Sequence, residues 1–209
     1  MDVELVALTP DAEQVIERAG RTCYKSHRKA DEASAGRFVR MLVSRGHLSV
    51  LEHACATFRI GGVSRVATHQ LVRHRLCSFS QRSQRYVLEG AADFVVPPSI
   101  AGDPRSALIF GRSVAAAQRA YRGLVALGVP KEDARFVMPG AAASEIVLSA
   151  NFRELRHVIE TRGARAAQWE VRELAVGLLR ILKREAPNAF YDLVVTRKGW
   201  VERKPRPRG

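Results

Sequence analysis

The sequence predicts an α+β fold, in which a largely antiparallel sheet packs against long helices. Short runs rich in β-branched residues are separated by longer segments of helical spacing, and no βαβ rhythm repeats along the chain. The chain contains neither a GxGxxG turn nor a P-loop, so we expect no Rossmann motif. A phosphorylated ligand must therefore be held by another kind of site.

The N-terminal elements are marked by turn and cap residues. Pro10 and Asp11 form a helix-start signal, Gly46 is typical of a helix C-cap, and Ser64 is a candidate N-cap. The predicted elements are a strand over residues 3–8, a helix to about residue 19, an irregular stretch over 21–33, a helix over 34–45, a loop over 47–52, a strand over 53–60 ending at Gly61-Gly62, and a helix over 64–71.

The C-terminal part is predicted to be mainly helical. It should contain an extended segment over 85–96, a helix from Asp103 to Gly128, a short helix over 131–136, a strand over 141–149, and helices over 151–161 and 164–185. The helix after Asp103 carries an apolar stripe that we expect to be buried, formed by Leu108, Ala115, Ala116, Tyr121, Leu124 and Leu127. The helix over 164–185 has an apolar face of Trp169, Leu174, Leu178, Leu179 and Leu182.

Composition indicates a folded protein with anionic partners. Hydrophobic residues make up 46% of the 209 residues and charged residues 26%, which is ordinary for a globular chain, and we expect one catalytic domain over residues 1–196. Residues 197–209 are basic and rich in proline, so we expect a disordered tail. The formal net charge of +13 favours nucleic acid, an anionic membrane surface or phosphorylated small molecules as partners.

Neither export nor metal binding is indicated. The N-terminus has no signal-peptide pattern and no run approaches the ~18 apolar residues of a membrane span, so we expect a cytoplasmic protein. The scattered Cys23, Cys55 and Cys77 suggest neither disulfides nor a metal pair. The six histidines form no HxxxH pair, so we expect no metal.

The segment over residues 73–86 concentrates groups that bind anions. It contains four arginines, one histidine, three serines, two glutamines and Tyr86, with almost no apolar periodicity. Guanidiniums offer rigid forks of donors to phosphates, and serine and backbone N–H groups can complete an anion site. The alternative is a solvated basic loop or a nucleic-acid contact.

The spacing inside this segment resembles the signature of the flavin-dependent thymidylate synthases. The triplet Arg73-His74-Arg75 is followed after seven residues by Ser83, and then by Arg85. Further matches follow the same order along residues 47–169: Gly46-His47 with Glu52-His53, Gln70 three residues before the triplet, the segment 132–139, and Asn151-Phe152-Arg153 with Arg162. The chain departs from some members at two positions, where Gln81 replaces a glutamate and His157 an asparagine.

This resemblance implies the fold of that family and its reaction, the reductive methylation of deoxyuridylate (dUMP) to thymidylate (dTMP). Methylenetetrahydrofolate donates the carbon, and the hydride passes from NADPH through FAD, so no covalent enzyme nucleophile is needed. Ser83 accordingly has a binding role, because the motif offers no Asp/His partner to activate it. The resemblance also implies a homotetramer with active sites shared between chains.

The resemblance assigns two sets of residues. The substrate set is Gln70, Arg73, Gln81, Ser83, Gln84, Arg85, Arg135 and Arg162, with Arg85 on the phosphate. The FAD set is His47, His53, Arg73, His74, Arg75, Asn151, Arg153 and His157. Arg162 is the catalytic candidate, because a guanidinium near the pyrimidine carbonyl would stabilise developing negative charge. The alternative for Arg162 is a cation that neutralises a helix dipole.

A nucleic-acid-binding protein is the competing hypothesis. The net charge, the arginine-rich segment and the basic tail favour it, and it predicts steeply salt-dependent binding without a cofactor. Aromatic residues are only 7%, however, and none of the usual nucleic-acid modules is present. We therefore do not expect nucleic acid as the main partner.

Overall fold

The computed structural model describes residues 1–23, 25–26, 34–85 and 93–204. The predicted extended segment after Arg85, including the aromatic surface of Tyr86, lies mostly outside the described residues, as does most of the irregular stretch over 21–33. Within the described part of the chain, no helix is both long enough and apolar enough to cross a membrane.

The described chain combines helices with β-sheet. In order, the elements are β1 Asp2–Leu8, α1 Ala12–Thr22, α2 Ser34–Arg45, β2 Cys55–Ser64, α3 Arg65–Leu71, β3 Ser78–Gln81, α4 Pro98–Ala101, α5 Pro104–Ala126, α6 Lys131–Ala134, β4 Ala143–Asn151, α7 Phe152–Gly163, α8 Trp169–Glu185, β5 Leu193–Val195 and β6 Val201–Arg203. Two 3₁₀-helices, Leu48–His53 and Arg135–Val137, complete the set.

Four strands form one sheet in the order β1-β2-β4-β3, and β5 pairs antiparallel with β6. In the hairpin, Leu193 lies opposite Arg203 and Val195 opposite Val201. The combination of helices and antiparallel sheet confirms the α+β prediction. Burial along β4 alternates from residue to residue, as expected for a strand with one face in the core.

The chain divides into two compact units. Unit 1 comprises Met1–Asp2, Ile60–Leu71 and Ser80–Ile146, and unit 2 comprises Val3–Arg59, Val72–Phe79 and Val147–Gly209. In unit 2, α7 packs against α8, and both helices bury apolar side chains, among them Leu155 and Ile159 on α7 and Leu178 on α8. The single catalytic domain over residues 1–196 stays a prediction.

Several predicted boundaries were wrong for identifiable reasons. Strand β2 continues through Gly61 and Gly62 to Ser64, because Gly62 adopts a positive φ of 65° that glycine tolerates without ending the strand. Residues 48–53, predicted as loop, form a 3₁₀-helix. Part of the anion-binding segment, predicted as loop, is strand β3. By contrast, the helix N-cap predicted at Ser64 is confirmed, because its Oγ accepts a hydrogen bond from the N–H of Ala67 at 3.0 Å.

Two larger differences involve burial. The apolar stripe of α5 was predicted to be buried, yet of that helix only Tyr121 is fully buried within this chain. The tail over 197–209 was predicted to be disordered, but Val201–Arg203 form strand β6 and Val201 is buried. The charge and proline content suggested disorder, whereas the hairpin is stabilised by tertiary partners that a sequence pattern does not show. Residues 205–209 lie outside the described part.

Candidate active site

Unit 2 contains a cavity of about 860 Å³, within the range of small-molecule sites. Its walls come from the segment between α3 and β3, from α7 and from the ends of neighbouring elements. The lining residues are Leu48, Glu52, Arg73, His74, Arg75, Leu76, Asn151, Arg153, Glu154, Arg156, His157, Glu160, Thr161, Arg162 and Arg203.

The charge of this lining suits an anion. Six arginines and three glutamates line the cavity, an excess of three positive charges. A concave wall of one sign concentrates the electrostatic potential and attracts the opposite charge. In addition, the Nε of the buried Arg156 has no hydrogen-bond partner among the described residues. The donor set therefore fits a phosphate-bearing ligand.

Helix α7 supplies seven of the fifteen described lining residues. Arg156 and His157 lie three and four residues after Arg153, and Glu160 lies four and three residues after that pair, which brings these side chains to one face of the helix. The helix begins at Asn151, whose Oδ1 accepts from the N–H of Glu154 at 2.9 Å. Asn151 thus caps α7 as well as lining the cavity.

A carboxylate and an imidazole hold Arg162 in position. The buried Glu154 has its Oε1 3.4 Å from Nδ1 of His74. On the other side of the ring, Nε2 of His74 accepts a hydrogen bond from Nε of Arg162 at 2.9 Å. Because Nε2 is the acceptor, the proton of a neutral imidazole belongs on Nδ1, facing Glu154. This arrangement fixes the orientation of the Arg162 guanidinium.

The environment keeps His74 uncharged. Burial, together with the charges of Arg162 and His157, lowers the pKa of His74 from 6.5 to about 4. Cys77 is also buried, with its Sγ 3.9 Å from Oε1 of Glu154, and burial followed by the Glu154 charge raises the pKa of that thiol to about 12. At neutral pH both groups are uncharged, and the thiol of Cys77 donates to Glu154.

His74, Glu154 and His157 also form a group whose ligand atoms lie within 4.8 Å of one another. A search for an HxxxH pair could not find this group, because His74 lies before β3 whereas Glu154 and His157 lie on α7. Positive neighbours such as Arg162 disfavour a cation, since Arg162 already donates to Nε2 of His74. The absence of a bound metal stays a prediction.

Unit 1 contains a second group of predicted site residues. Nε of Arg85 donates to Oε2 of Glu132 at 2.8 Å, and Nε of Arg135 donates to the backbone carbonyl of Glu132 at 2.9 Å. Two sequence segments that matched the family motif separately are thus joined at Glu132. Nearby in the chain, Oγ of Ser83 accepts from the N–H of Arg85 at 3.2 Å.

Gln81 has well-defined partners in the same unit. Its Nε2 donates to Oγ1 of Thr68 at 2.8 Å and to Oγ of Ser144 at 3.2 Å. These bonds hold the side chain between α3 and β4. Gln70 on α3 and Gln84 after β3 are each partly exposed.

The structure brings together most of the predicted FAD set, but not all of it. Those lining the cavity are Arg73, His74, Arg75, Asn151, Arg153 and His157, together with Arg162. His47 and His53 are exposed at the two ends of the first 3₁₀-helix, and neither belongs to the described lining. Instead, Leu48 and Glu52 of that helix line the cavity, and Glu52 pairs with Arg153 at 2.5 Å.

Sequence reasoning missed several lining residues. Arg156 and Glu160 could have been found from their spacing relative to Arg153 on one helical face, whereas the spacing of Glu154, which directly follows Arg153, gives no such signal. No local pattern points to Arg203, because it reaches the cavity from the C-terminal hairpin.

Together, the fold and this cavity define an α+β protein with an arginine-lined anion site organised by a buried carboxylate–imidazole pair. The family described as "Thymidylate synthase complementing protein" matches residues 4–188. The chain belongs to this family, the flavin-dependent thymidylate synthases.

Relatives are similar over nearly their whole length. The chain is 45% identical to a protein of Geobacter sulfurreducens over 200 residues, covering 92% of this chain and 86% of the relative. It is 40% identical to one from Nitratidesulfovibrio vulgaris, with 90% and 84% covered, and 38% identical to one from Mycolicibacterium gilvum, with 93% and 85% covered. Each of the three carries the name "Flavin-dependent thymidylate synthase".

Proposed function

We infer that this chain is an FAD-dependent thymidylate synthase. It converts dUMP to dTMP, with methylenetetrahydrofolate and NADPH as co-substrates. The observation that carries this conclusion is family membership along residues 4–188, combined with the motif residues Arg73, His74 and Arg162 in one arginine-lined cavity. Because the reaction consumes nucleotide and folate substrates, we propose that the enzyme acts in the cytoplasm.

We propose that the cavity of unit 2 holds FAD. Arg73, Arg75 and Arg153 would bind its phosphates, since guanidiniums make strong charge-assisted bonds to phosphate oxygens. His74 stays neutral and orients Arg162. When bound, the flavin supplies the hydride, and the protein contributes binding and electrostatics.

We propose that the group around Glu132 binds dUMP. Arg85 and Arg135, with Ser83 and Gln84, would contact the phosphate. Arg85 is half exposed and ion-paired with Glu132, so a phosphate would compete with this carboxylate for the guanidinium. The Nε2 of Gln81 is engaged by Thr68 and Ser144, and we assign its amide oxygen to an N–H of the pyrimidine.

Arg162 is the proposed catalytic residue. With its Nε held by His74, its guanidinium plane is oriented before substrate binds. A pre-oriented cation at the pyrimidine carbonyl would stabilise the negative charge that develops as the ring is polarised. Removing Arg162 should therefore lower kcat more than it raises KM.

The first experiment is a visible spectrum of the purified protein titrated with FAD, followed by anaerobic NADPH and then dUMP with methylenetetrahydrofolate. Retained flavin bands, bleaching by NADPH and dTMP formation are expected. A protein that neither binds FAD nor forms dTMP would overturn the function.

Matched variants test the residue assignments separately. Arg73→Met should weaken FAD binding, whereas Arg85→Met should weaken dUMP binding at least tenfold and leave FAD bound. If Arg85→Met instead loses FAD and keeps its dUMP affinity, the residue roles are wrong even though the enzyme class stands.

We also propose a homotetramer with shared active sites. Support comes from α5, where the apolar side chains of Leu108 and Ile109 are 54% and 68% exposed in this chain. Light scattering should give the mass of four chains. Mixing Arg85→Met and Arg162→Met chains should restore part of the activity if each site draws residues from two chains, and no recovery would indicate self-contained sites.

A further inference from the structure

Four charged side chains beside the cavity form a closed ring. Arg156 makes a bidentate pair with Asp192, at 2.8 and 2.7 Å, and its Nη2 lies 3.7 Å from Oε1 of Glu160. Arg203 donates to the same Oε1 of Glu160 from Nε, at 3.0 Å, and from Nη2. Its Nε lies 3.8 Å from Oδ2 of Asp192, which closes the ring.

The ring joins the cavity to the C-terminal hairpin. Arg156 and Glu160 belong to α7, whereas Asp192 precedes β5 and Arg203 ends β6. The hairpin approaches α7 closely, since a Cβ added at Gly163 would lie 2.5 Å from Cγ2 of Val201. Asp192 and Arg203 both lie beyond the residues 4–188 that match the family.

Within the ring, the two carboxylates differ in how much they depend on Arg203 as an ion-pair partner. The carboxylate of Asp192 is already neutralised by two hydrogen bonds from Arg156. Glu160 is more dependent on Arg203, because its distance to Arg156 is the longer 3.7 Å. Without Arg203, a carboxylate in the cavity wall would be left with one weak partner, facing the space where an anion binds.

We propose that Arg203 is a positioning residue for the flavin phosphates, acting through Glu160, which it neutralises so that the cavity keeps its affinity for a diphosphate. This inference rests on the proposed binding of FAD in this cavity. Arg203 itself belongs to the wall of the site, and its effect on the ligand is electrostatic.

The experiment is a double-mutant cycle read by FAD affinity, measured by flavin fluorescence on apo-protein. Arg203→Met should weaken FAD binding about three- to tenfold, with a larger difference at low salt than at high salt. Arg203→Met combined with Glu160→Gln should restore most of the affinity, because no unpaired carboxylate remains. Arg203→Lys, which keeps the charge, should bind FAD nearly as the wild type does.

A merely structural role predicts other results. If the fork of Arg203 only holds the hairpin in place, the double variant and Arg203→Lys will bind FAD as poorly as Arg203→Met, and the proposal fails. Unchanged affinity in Arg203→Met also overturns it. If Arg203→Met does not fold, two other variants test the electrostatic role of Arg203. Arg203→Lys should bind FAD nearly as the wild type does. Glu160→Gln should bind FAD at least as tightly as the wild type, and the salt dependence of its affinity is measured as well.

The two proposals fail separately. A wild-type protein that does not bind FAD would refute the proposed function, whereas wild-type binding with an unaffected Arg203→Met variant would refute only the role of Arg203. Arg73→Met is the control that links FAD binding to this cavity.

Discussion

Helices α5 and α7 show how differently two helices of one chain can be stabilised. Of the 12 residues of α7, seven are buried, including Glu154 and Arg156. Of the 23 residues of α5, only Tyr121 is fully buried within this chain. Both helices begin with a side-chain cap, Asn151 for α7 and Asp103 for α5. Their difference therefore lies in tertiary burial and not in how each helix starts.

This comparison explains what each helix contributes. The face of α7 combines an apolar core with charges that are paired inside the same unit, which makes it a firm support for Arg162 and His157. Apolar side chains on α5 such as Ile109 lack cover within the described chain, so this helix is suited to an assembly contact. Substitutions at equivalent kinds of position on the two helices should have contrasting effects.

The largest effect is expected at Arg156. Arg156→Met leaves Asp192 buried without its bidentate partner, so the free energy of unfolding should fall by about 3–5 kcal/mol. The matched change on α5, Arg119→Met, replaces an exposed side chain and should alter it by less than about 0.5 kcal/mol. Urea unfolding of the two variants measures both changes in the free energy of unfolding. Equal losses would contradict the contrast between the helices.

A second pair compares isoleucines. Ile159 is fully buried on α7, so Ile159→Ala should lower the free energy of unfolding by about 2–5 kcal/mol at any protein concentration. Ile109→Glu on α5 should instead reduce the mass of the assembly, measured by light scattering, with little loss of folded structure. A variant Ile109→Glu that keeps its wild-type mass would exclude this part of α5 from the interface.

The pH dependence tests the burial of His74. Below pH 6.5 the unfolded chain binds a proton on His74, but the folded state stays neutral down to about pH 4. As the pH is lowered, the unfolded state therefore gains the proton first. The free energy of unfolding should fall by about 1.4 kcal/mol for each pH unit below 6.5 until about pH 4. His74→Asn should remove this part of the dependence in urea titrations of apo-protein, whereas His69→Asn, at an exposed position, should not.

The smallest effect concerns the caps. Asn151→Ala removes the acceptor of the Glu154 N–H and should lower the free energy of unfolding by about 1 kcal/mol, because the start of α7 is packed in the core. Asp103→Ala removes the acceptor of the Ser106 N–H on α5 and should only speed exchange of that amide. Hydrogen exchange at Glu154 and Ser106 distinguishes the two cases.

The sequence was informative where a signal is local. The spacing of apolar residues predicted α7 and α8, and Ser64 was correctly identified as a cap because capping depends on residues three positions apart. The motif spacing around Arg73 identified the family. The same local reasoning failed for the stripe of α5, because periodicity reveals that a face is apolar but not what covers it.

By itself, the sequence determined the α+β class, the family and seven of the fifteen described residues that line the cavity. The fold class follows from the periodicity of apolar residues, whereas the family and the site residues follow from the resemblance of the motifs around Arg73 to those of the family. Only the tertiary structure decided that Glu154 holds His74 and that His74 holds Arg162, an interaction between residues 88 positions apart. It also brought Arg203 to the cavity, because the pairing of charges across a fold depends on three-dimensional distance, which sequence spacing does not contain.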